Sequence, residues 1–236
     1  MINYDLLKNE IENLGIEVDS YACERFDSYA ERLVRWNEHI NLTSITDPDE
    51  IVIKHFIDSL ALLKYVDIPS HASVIDVGTG AGFPGMPVLI AKPSVEMTFI
   101  DSLRKRLGFI KDVLRINGLV ATVHHTRAED AGRDSSYREQ FDFATARAVA
   151  PLNVLCEYCL PLVKVGGSFV ALKGANADQE ISEAAYAIEL LGGKLEENHA
   201  FTLPNGDKRS IVIIKKISQT PTKYPRKSKK IDTRPL

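Results

Sequence analysis

Cysteine is scarce in this sequence, and long apolar runs are absent. The three cysteines, Cys23, Cys156 and Cys159, are an odd number in a chain long enough to bury a core without disulfides. A disulfide-stapled scaffold is therefore excluded, and a reducing compartment is favoured. No stretch of about 18 uncharged apolar residues occurs, and the opening residues MINYDLLKNE lack the basic and apolar regions of a signal peptide. We expect a soluble cytoplasmic protein with no membrane contact.

Charge of neither sign is in large excess. Lys and Arg total 29 against 32 Asp and Glu, and the net charge of -3 excludes a uniformly basic nucleic-acid coat. The distribution is uneven, because residues 1–60 are strongly acidic whereas residues 223–236 contain six cations and one acid. A basic segment of this kind predicts a local contact with a polyanion.

Apolar residues recur every three or four positions early in the chain. This spacing predicts amphipathic helices over residues 21–40 and 48–65, with Asp47 as the N-cap of the second. We interpret residues 1–66 as an N-terminal helical segment.

From residue 67 onward, short β-branched runs alternate with helical patterns. The alternation predicts an α/β fold with a Rossmann-like, mostly parallel sheet covered by helices on both faces. A short Pro-Asn-Gly-Asp turn at residues 204–207 joins the last two strands, so this pair is expected to be antiparallel. The predicted strands are 73–77, 96–101, 121–124, 141–146, 167–172, 194–203 and 210–217, and the predicted helices are 104–117, 152–163 and 178–191.

The sheet domain is expected to cover residues 67–217. Residues 218–236 contain three prolines and few apolar side chains, so we expect a flexible basic tail there.

A glycine-rich turn follows the first predicted strand, in the segment Asp76-Val-Gly-Thr-Gly-Ala-Gly-Phe-Pro-Gly85. Glycines let backbone amides approach a ligand at the carboxyl edge of a parallel strand. Counted from Gly80, the segment matches the G-x-G-x-x-G pattern of a dinucleotide site, which suggests an NAD-dependent oxidoreductase as one alternative. Against it, the turn begins at Gly78, and two prolines remove amide donors from the following helix. The Asp76 carboxylate would also repel a diphosphate, whereas it would attract a sulfonium.

An acid followed by G-x-G-x-G resembles the first motif of the methyltransferases that use S-adenosyl-L-methionine on a Rossmann-like sheet. The resemblance implies a cofactor site whose turn residues are Asp76, Gly78, Gly80, Gly82 and Phe83. Asp101 ends the next strand, where a carboxylate can accept hydrogen bonds from both ribose hydroxyls. The segment after the third strand lies against the adenine in this class, which implies edge contacts from Ala128 and Glu129.

Six segments between Trp36 and Lys216 together resemble the RsmG family, also called GidB. They are Trp-Asn-Glu-His-Ile-Asn-Leu-Thr from residue 36, His-Phe-Ile-Asp-Ser-Leu from residue 55, the glycine turn, Asp-Ser-Leu-Arg-Lys-Arg from residue 101, Ala-Arg-Ala from residue 146, and Leu-Pro from residue 203 leading to Arg209. The resemblance implies methylation of N7 of one guanine in bacterial 16S ribosomal RNA, either free or in a precursor of the small subunit. We expect a monomer with no metal site; a non-enzymatic RNA-binding module is the remaining alternative.

Guanine N7 carries a lone pair and no proton, so its methylation needs positioning rather than a general base. The sequence agrees, because no Asn-Pro-Pro-Tyr or Asp-Pro-Pro-Tyr segment, typical of amino-group methylation, follows the fourth strand. Arg147 stands there instead, and its guanidinium could hold the methionine carboxylate, an RNA phosphate or guanine O6. The competing interpretation of Arg147 is an ion pair with Glu129 or Asp142.

Two weaker patterns favour structural roles. His55, Asp58 and Ser59 share one helical face, but without an oxyanion pocket we favour binding or an interhelical hydrogen bond over catalysis. Cys156 and Cys159 form a lone C-x-x-C without a second pair for zinc, so buried packing is favoured.

Cations beside the predicted site and in the tail are the candidate RNA contacts. For the basic helix after Asp101 a solvated face is the default interpretation, and phosphate contact competes with it. The candidates are Arg104, Lys105, Arg106, Lys173, Arg209, Lys223, Arg226, Lys227, Lys229 and Lys230.

Overall fold

The computed structural model describes all 236 residues, and the first 65 of them are mainly helical, as predicted. Helix α1 covers Tyr4–Leu14 and α2 covers Ala22–Asn37. A third helical segment consists of α3 Pro48–Ile51, a π-helical stretch Val52–Ile57, α4 Asp58–Leu60 and α5 Leu62–Tyr65. The Asp47 side chain accepts hydrogen bonds from two amides of the first turn, which confirms it as the N-cap.

Seven strands form one sheet in the order β3-β2-β1-β4-β5-β7-β6. They are β1 Ser73–Val77, β2 Glu96–Asp101, β3 Thr122–His125, β4 Phe141–Arg147, β5 Val163–Lys173, β6 Gly193–Thr202 and β7 Lys208–Lys216. The first five strands are parallel, and β7 runs antiparallel to both β5 and β6. The predicted fold class and the antiparallel final pair are therefore confirmed.

Helices cover both faces of the sheet. They are α6 Gly85–Ala91, α7 Arg104–Asn117, α8 Ala128–Ala131, α9 Leu152–Cys159 and α10 Ala177–Leu190. Three predicted boundaries differ: the helix expected over 21–40 ends at Asn37, the helix expected over 152–163 ends at Cys159, and β5, expected from residue 167, begins at Val163 after a 3-10 turn at Leu160–Leu162. Pro161 lies in this turn, and a proline has no amide hydrogen with which to continue an α-helix.

The N-terminal helices and the sheet share one apolar core. Neighbouring β1 residues point to opposite faces, so Val74 belongs to the core that contains Phe26 and Phe56 of the helical segment, whereas Ile75 belongs to the core that contains Leu155 of α9. The division at residue 66 therefore marks a change of secondary structure, across which packing is continuous. No helix is long and apolar enough to span a bilayer.

Residues 218–236 correct our expectation of a flexible tail, because they pack on the surface of α9 and form helix α11 Ser228–Thr233. Tyr224 and Ile231 are buried. Arg226 lies 2.6 Å from the buried carboxylate of Glu157, and Arg138 donates to the carbonyl oxygens of Thr220 and Tyr224. The buried side chains of Tyr224 and Ile231 and the guanidinium groups of Arg226 and Arg138 thus hold this mainly polar segment in place.

Candidate functional site

A cavity of about 530 Å³ lies over the carboxyl ends of β1, β2 and β4. This is the edge at which open parallel sheets bind ligands. Most of the predicted cofactor residues line it, namely Gly78, Gly80, Phe83, Asp101, Ala128, Glu129 and Arg147. Sequence reasoning missed several other lining residues, among them Thr79, Ser102, Thr126, Val149 and Tyr158.

Asp76 does not line the cavity but lies beneath the glycine turn. Its carboxylate is fully buried, and one oxygen accepts hydrogen bonds from the Thr79 hydroxyl at 2.6 Å and the Gly85 amide at 3.0 Å. Burial raises the pKa of Asp76 to about 6, although these hydrogen bonds oppose the rise. In this arrangement Asp76 ties the start of the turn to its end, and its other oxygen lies 3.4 Å from the Thr145 hydroxyl of β4.

Gly82 is also packed inward, against α2. At its φ of 98° a Cβ atom would stand 2.8 Å from the Tyr29 hydroxyl and 2.9 Å from Ile110. The Tyr29 hydroxyl donates a hydrogen bond to the carbonyl oxygen of Ala81. Helix α2 therefore fixes the glycine turn from the side opposite the cavity, a contribution that the sequence motifs did not indicate.

Asp101 stands at the end of β2 with its carboxylate at the cavity wall. One oxygen accepts from the Gly80 amide at 3.0 Å and the other from the Leu103 amide at 2.8 Å, while Arg106 lies 3.6 Å away. A carboxylate has about four acceptor positions, so acceptor capacity remains for a diol.

Arg147 emerges from β4 at the border of the cavity and makes three hydrogen bonds. It donates to Asp58 at 2.9 Å, to the carbonyl oxygen of Lys54 at 2.9 Å, and to His55 Nδ1 at 3.1 Å. Our alternative ion pair of Arg147 with Glu129 or Asp142 is therefore wrong, because Asp58 is the partner. The nearest cation to Glu129 is Arg127, and the partner of Asp142 is Lys164.

His55 is a neutral link between Arg147 and Thr43. Burial and, to a smaller extent, the adjacent positive charge of Arg147 together lower the pKa of His55 to about 3. A guanidinium only donates, so Nδ1 accepts and the proton is assigned to Nε2, which lies 2.8 Å from the Thr43 hydroxyl. The ring also stacks on Phe83 with centroids 4.4 Å apart. His55 therefore links its helical segment to β4 and to the loop at Thr43, so the hydrogen bonds are not interhelical as expected, and Ser59 donates to the His55 carbonyl oxygen within the same segment.

A second cavity, of about 370 Å³, adjoins the first and shares His55, Arg147 and Ala148 with it. Two predicted RNA candidates line this cavity: Arg209, which lies 3.2 Å from Asp58, and Lys173, which lies 2.7 Å from Glu180. Asp58 thus bridges two arginines that the sequence places about 60 residues apart. The candidates Arg104, Lys105 and Arg106 line a separate groove beside Asp101.

The two cysteines of the C-x-x-C pattern are fully buried in the core under α9. Burial raises the pKa of both the Cys156 and the Cys159 thiol. They pack as small apolar side chains, as predicted.

A parallel sheet with a glycine turn after β1, an acid at the end of β2 and a cavity between them defines the Rossmann-like fold of the methyltransferases that use S-adenosyl-L-methionine. The solved precorrin-6y C5,15-methyltransferase of Geobacter metallireducens shares this fold with a TM-score of 0.51 at 16% identity, over 75% of this chain and 90% of that one. A likeness at this identity shows the fold, and the choice between the methyltransferase and the dinucleotide interpretation rests on the family.

The family follows from closer relatives. The family model GidB, rRNA small subunit methyltransferase G, matches residues 22–212. The ribosomal RNA small subunit methyltransferase G of Bacillus licheniformis is 48% identical over 96% of this chain and 95% of its own length. That of Clostridium beijerinckii is 46% identical over 99% of this chain and 98% of its own. The chain belongs to the family of the rRNA small subunit methyltransferase G, and its methyl donor is S-adenosyl-L-methionine.

Proposed function

We propose that the two adjoining cavities hold the methyl donor and a guanine of 16S ribosomal RNA, and that the protein methylates N7 of that guanine. The observation that carries this proposal is the shared wall of the cavities, where Arg147 and His55 face both. At this border the N7 lone pair of the guanine could attack the methyl carbon of the donor, while the C–S bond of the sulfonium breaks and a thioether is left in the larger cavity.

The residues that line the larger cavity suit the different parts of the methyl donor. A Cβ atom at Gly80 would have its nearest neighbour 3.9 Å away, so the space above this backbone is open to a ligand. Asp101 would accept from the ribose hydroxyls, while Ala128 and Glu129 would border the adenine. When bound, S-adenosyl-L-methionine supplies an electrophilic methyl group on a sulfonium.

The smaller cavity fits an electron-rich acceptor. Three of the five N–H donors of Arg147 are engaged by Asp58, Lys54 and His55, which leaves two for guanine O6 or a phosphate. The free enzyme has no proton acceptor in this wall, because His55 Nδ1 is held by Arg147 and Nε2 carries the proton. Such a wall suits N7, whose lone pair needs orientation and exclusion of water.

The proposal is tested by transfer of a labelled methyl group to small subunits and to naked 16S rRNA that lack the modification, followed by mapping of the modified base. We expect one guanine to carry the label at N7. Asp101→Ala should weaken cofactor binding, whereas Asp67→Ala at an exposed remote position should not. Label on an exocyclic amino group, or no incorporation into either substrate, would overturn the proposal.

Two further elements belong to this proposal. The protein is proposed to act as a monomer, and sedimentation at micromolar concentration tests this. A ribosomal RNA substrate supports a cytoplasmic location.

A further inference from the structure

We infer that the docked segment 223–234 forms a fixed basic ridge beside the cofactor cavity and that this ridge binds the phosphate backbone of the substrate RNA. The inference rests on the proposed function, because it takes ribosomal RNA as the partner.

The ridge carries many cations that form no salt bridge within the protein. Its side chains border a surface groove of about 600 Å³, which is lined by eight residues, none of them hydrophobic. The side chains that are exposed and form no salt bridge are Arg133, Lys223, Lys227, Lys229, Lys230 and Arg234.

Arg226 is different and is removed from our RNA candidates. Its guanidinium makes three hydrogen bonds to Glu157, whose side chain is 1% exposed. Removing either partner would leave a buried charge unpaired, so this pair anchors the ridge.

The position of the ridge follows from one hydrogen bond. The Tyr158 hydroxyl, which belongs to a residue lining the cofactor cavity, lies 3.1 Å from a carboxylate oxygen of Asp232 on α11. Helix α11 therefore stands at the rim of the cavity, and the lysines of the same helix can reach a strand whose guanine occupies the neighbouring site.

The chemistry of the ridge fits a phosphate backbone better than a lipid surface. A helix that binds a bilayer presents apolar residues outward beside its cations. In α11 the apolar residue Ile231 is fully buried against the protein, so only cations and polar groups face outward. Closely spaced, exposed cations bind a polyanion mainly through the release of counterions.

The test compares two triple variants of the full chain that lose the same charge. The ridge variant carries Lys227→Gln, Lys229→Gln and Lys230→Gln. The control carries Lys8→Gln, Lys64→Gln and Lys194→Gln, at exposed positions that line neither the cavities described for catalysis nor the ridge. Binding to 16S rRNA is measured from about 50 to 200 mM salt, and methyl transfer is measured over a range of small-subunit concentrations up to saturation.

In the ridge variant we expect the log-log salt slope to become shallower by about 2 to 3, at 0.7 to 0.9 for each lost phosphate contact. The KM for the small subunit should rise on the order of 10- to 100-fold at about 0.15 M salt, while kcat and cofactor affinity stay within twofold. Equal slopes for the ridge and control variants would overturn the inference. If the wild type binds rRNA through the ridge but transfers no methyl group to it, the proposed function fails while the ridge stands.

Discussion

The buried carboxylate beneath the glycine turn makes a quantitative prediction about stability. Asp76→Asn keeps an oxygen that can accept from Thr79 and from the Gly85 amide, and it removes the charge. The substitution should therefore stabilise the cofactor-free protein at neutral pH.

The magnitude follows from the two pKa values of Asp76. The folded protein holds the group at about 6, whereas the ordinary value of the carboxyl is 3.8, which corresponds to about 3 kcal/mol. Because the folded pKa is raised, the folded state binds the proton more tightly, and wild-type stability falls as pH rises from about 4 to about 6. The stability of the variant does not fall in this way. The difference in free energy of unfolding between the variant and the wild type should therefore grow over the same pH interval and be constant above it.

The assay is urea unfolding of wild type and variant between pH 4.5 and 7.5, compared as a difference at each pH. Asp142→Asn is the matched control, because hydrogen bonds from Ser73 and Lys164 lower the pKa of Asp142 despite its partial burial. Its stabilising contribution is fully present above the unfolded pKa, so this control should destabilise the protein by an amount that hardly varies over the interval. A difference between Asp76→Asn and wild type that is flat across this range would refute the reasoning.

Other changes separate the roles of single residues. The Gly80→Ala variant should fold, at a cost of about 1 kcal/mol for a left-handed backbone, and calorimetry should show that it has lost cofactor affinity. The Gly82→Ala variant should instead have a markedly lower melting temperature, because its added methyl group would clash with the core. Equal melting temperatures of the Gly82→Ala variant and the wild type would contradict this. Asp101→Ala should weaken cofactor binding by roughly 1.5 to 3 kcal/mol, the scale of hydrogen bonds to a charged group, and an unchanged dissociation constant would remove it from the site. Arg147→Lys should reduce kcat/KM for the RNA about 10- to 100-fold through loss of one or two charged hydrogen bonds, measured beside the exposed control Arg115→Lys. His55→Gln should leave single-turnover methyl transfer above about one hundredth of wild type, with no new pH dependence between 6 and 9; a larger loss would indicate a general base.

Most of the sheet was predictable because its strands are short β-branched runs separated by helices with glycine stops. The tail was not, since its composition is polar and its two buried apolar residues, Tyr224 and Ile231, are separated by a run rich in lysine and arginine. Their burial depends on a surface made by α9 and on the distant carboxylate of Glu157, which lies 69 residues from Arg226. The average composition of the tail predicts flexibility, whereas its packing on α9 depends on only a few side chains.

In the candidate site, too, residues within one contiguous motif were predictable, whereas contacts between residues far apart in the sequence were not. The glycine turn and Asp101 are contiguous motifs, and the sequence indicated them directly. The partner of Arg147 is 89 residues away in Asp58, and two nearer acids were therefore considered instead. Asp76 was predicted as a cofactor-binding residue of the motif, whereas it lies buried beneath the turn, because its position depends on packing that no spacing rule describes.

The shared core of the helical segment and the sheet gives the molecule a built-in optical reporter. Trp36 is the only tryptophan; its indole N–H donates to Asp112 of α7 at 3.0 Å, and its ring lies 5.9 Å from Phe109. Its emission therefore senses the separation of α2 from the sheet layer, whereas circular dichroism senses the loss of helices throughout. If the two parts unfold as one cooperative unit, the fluorescence and dichroism transitions in denaturant must coincide, and the N-terminal helices cannot be removed without exposing the apolar face beneath them.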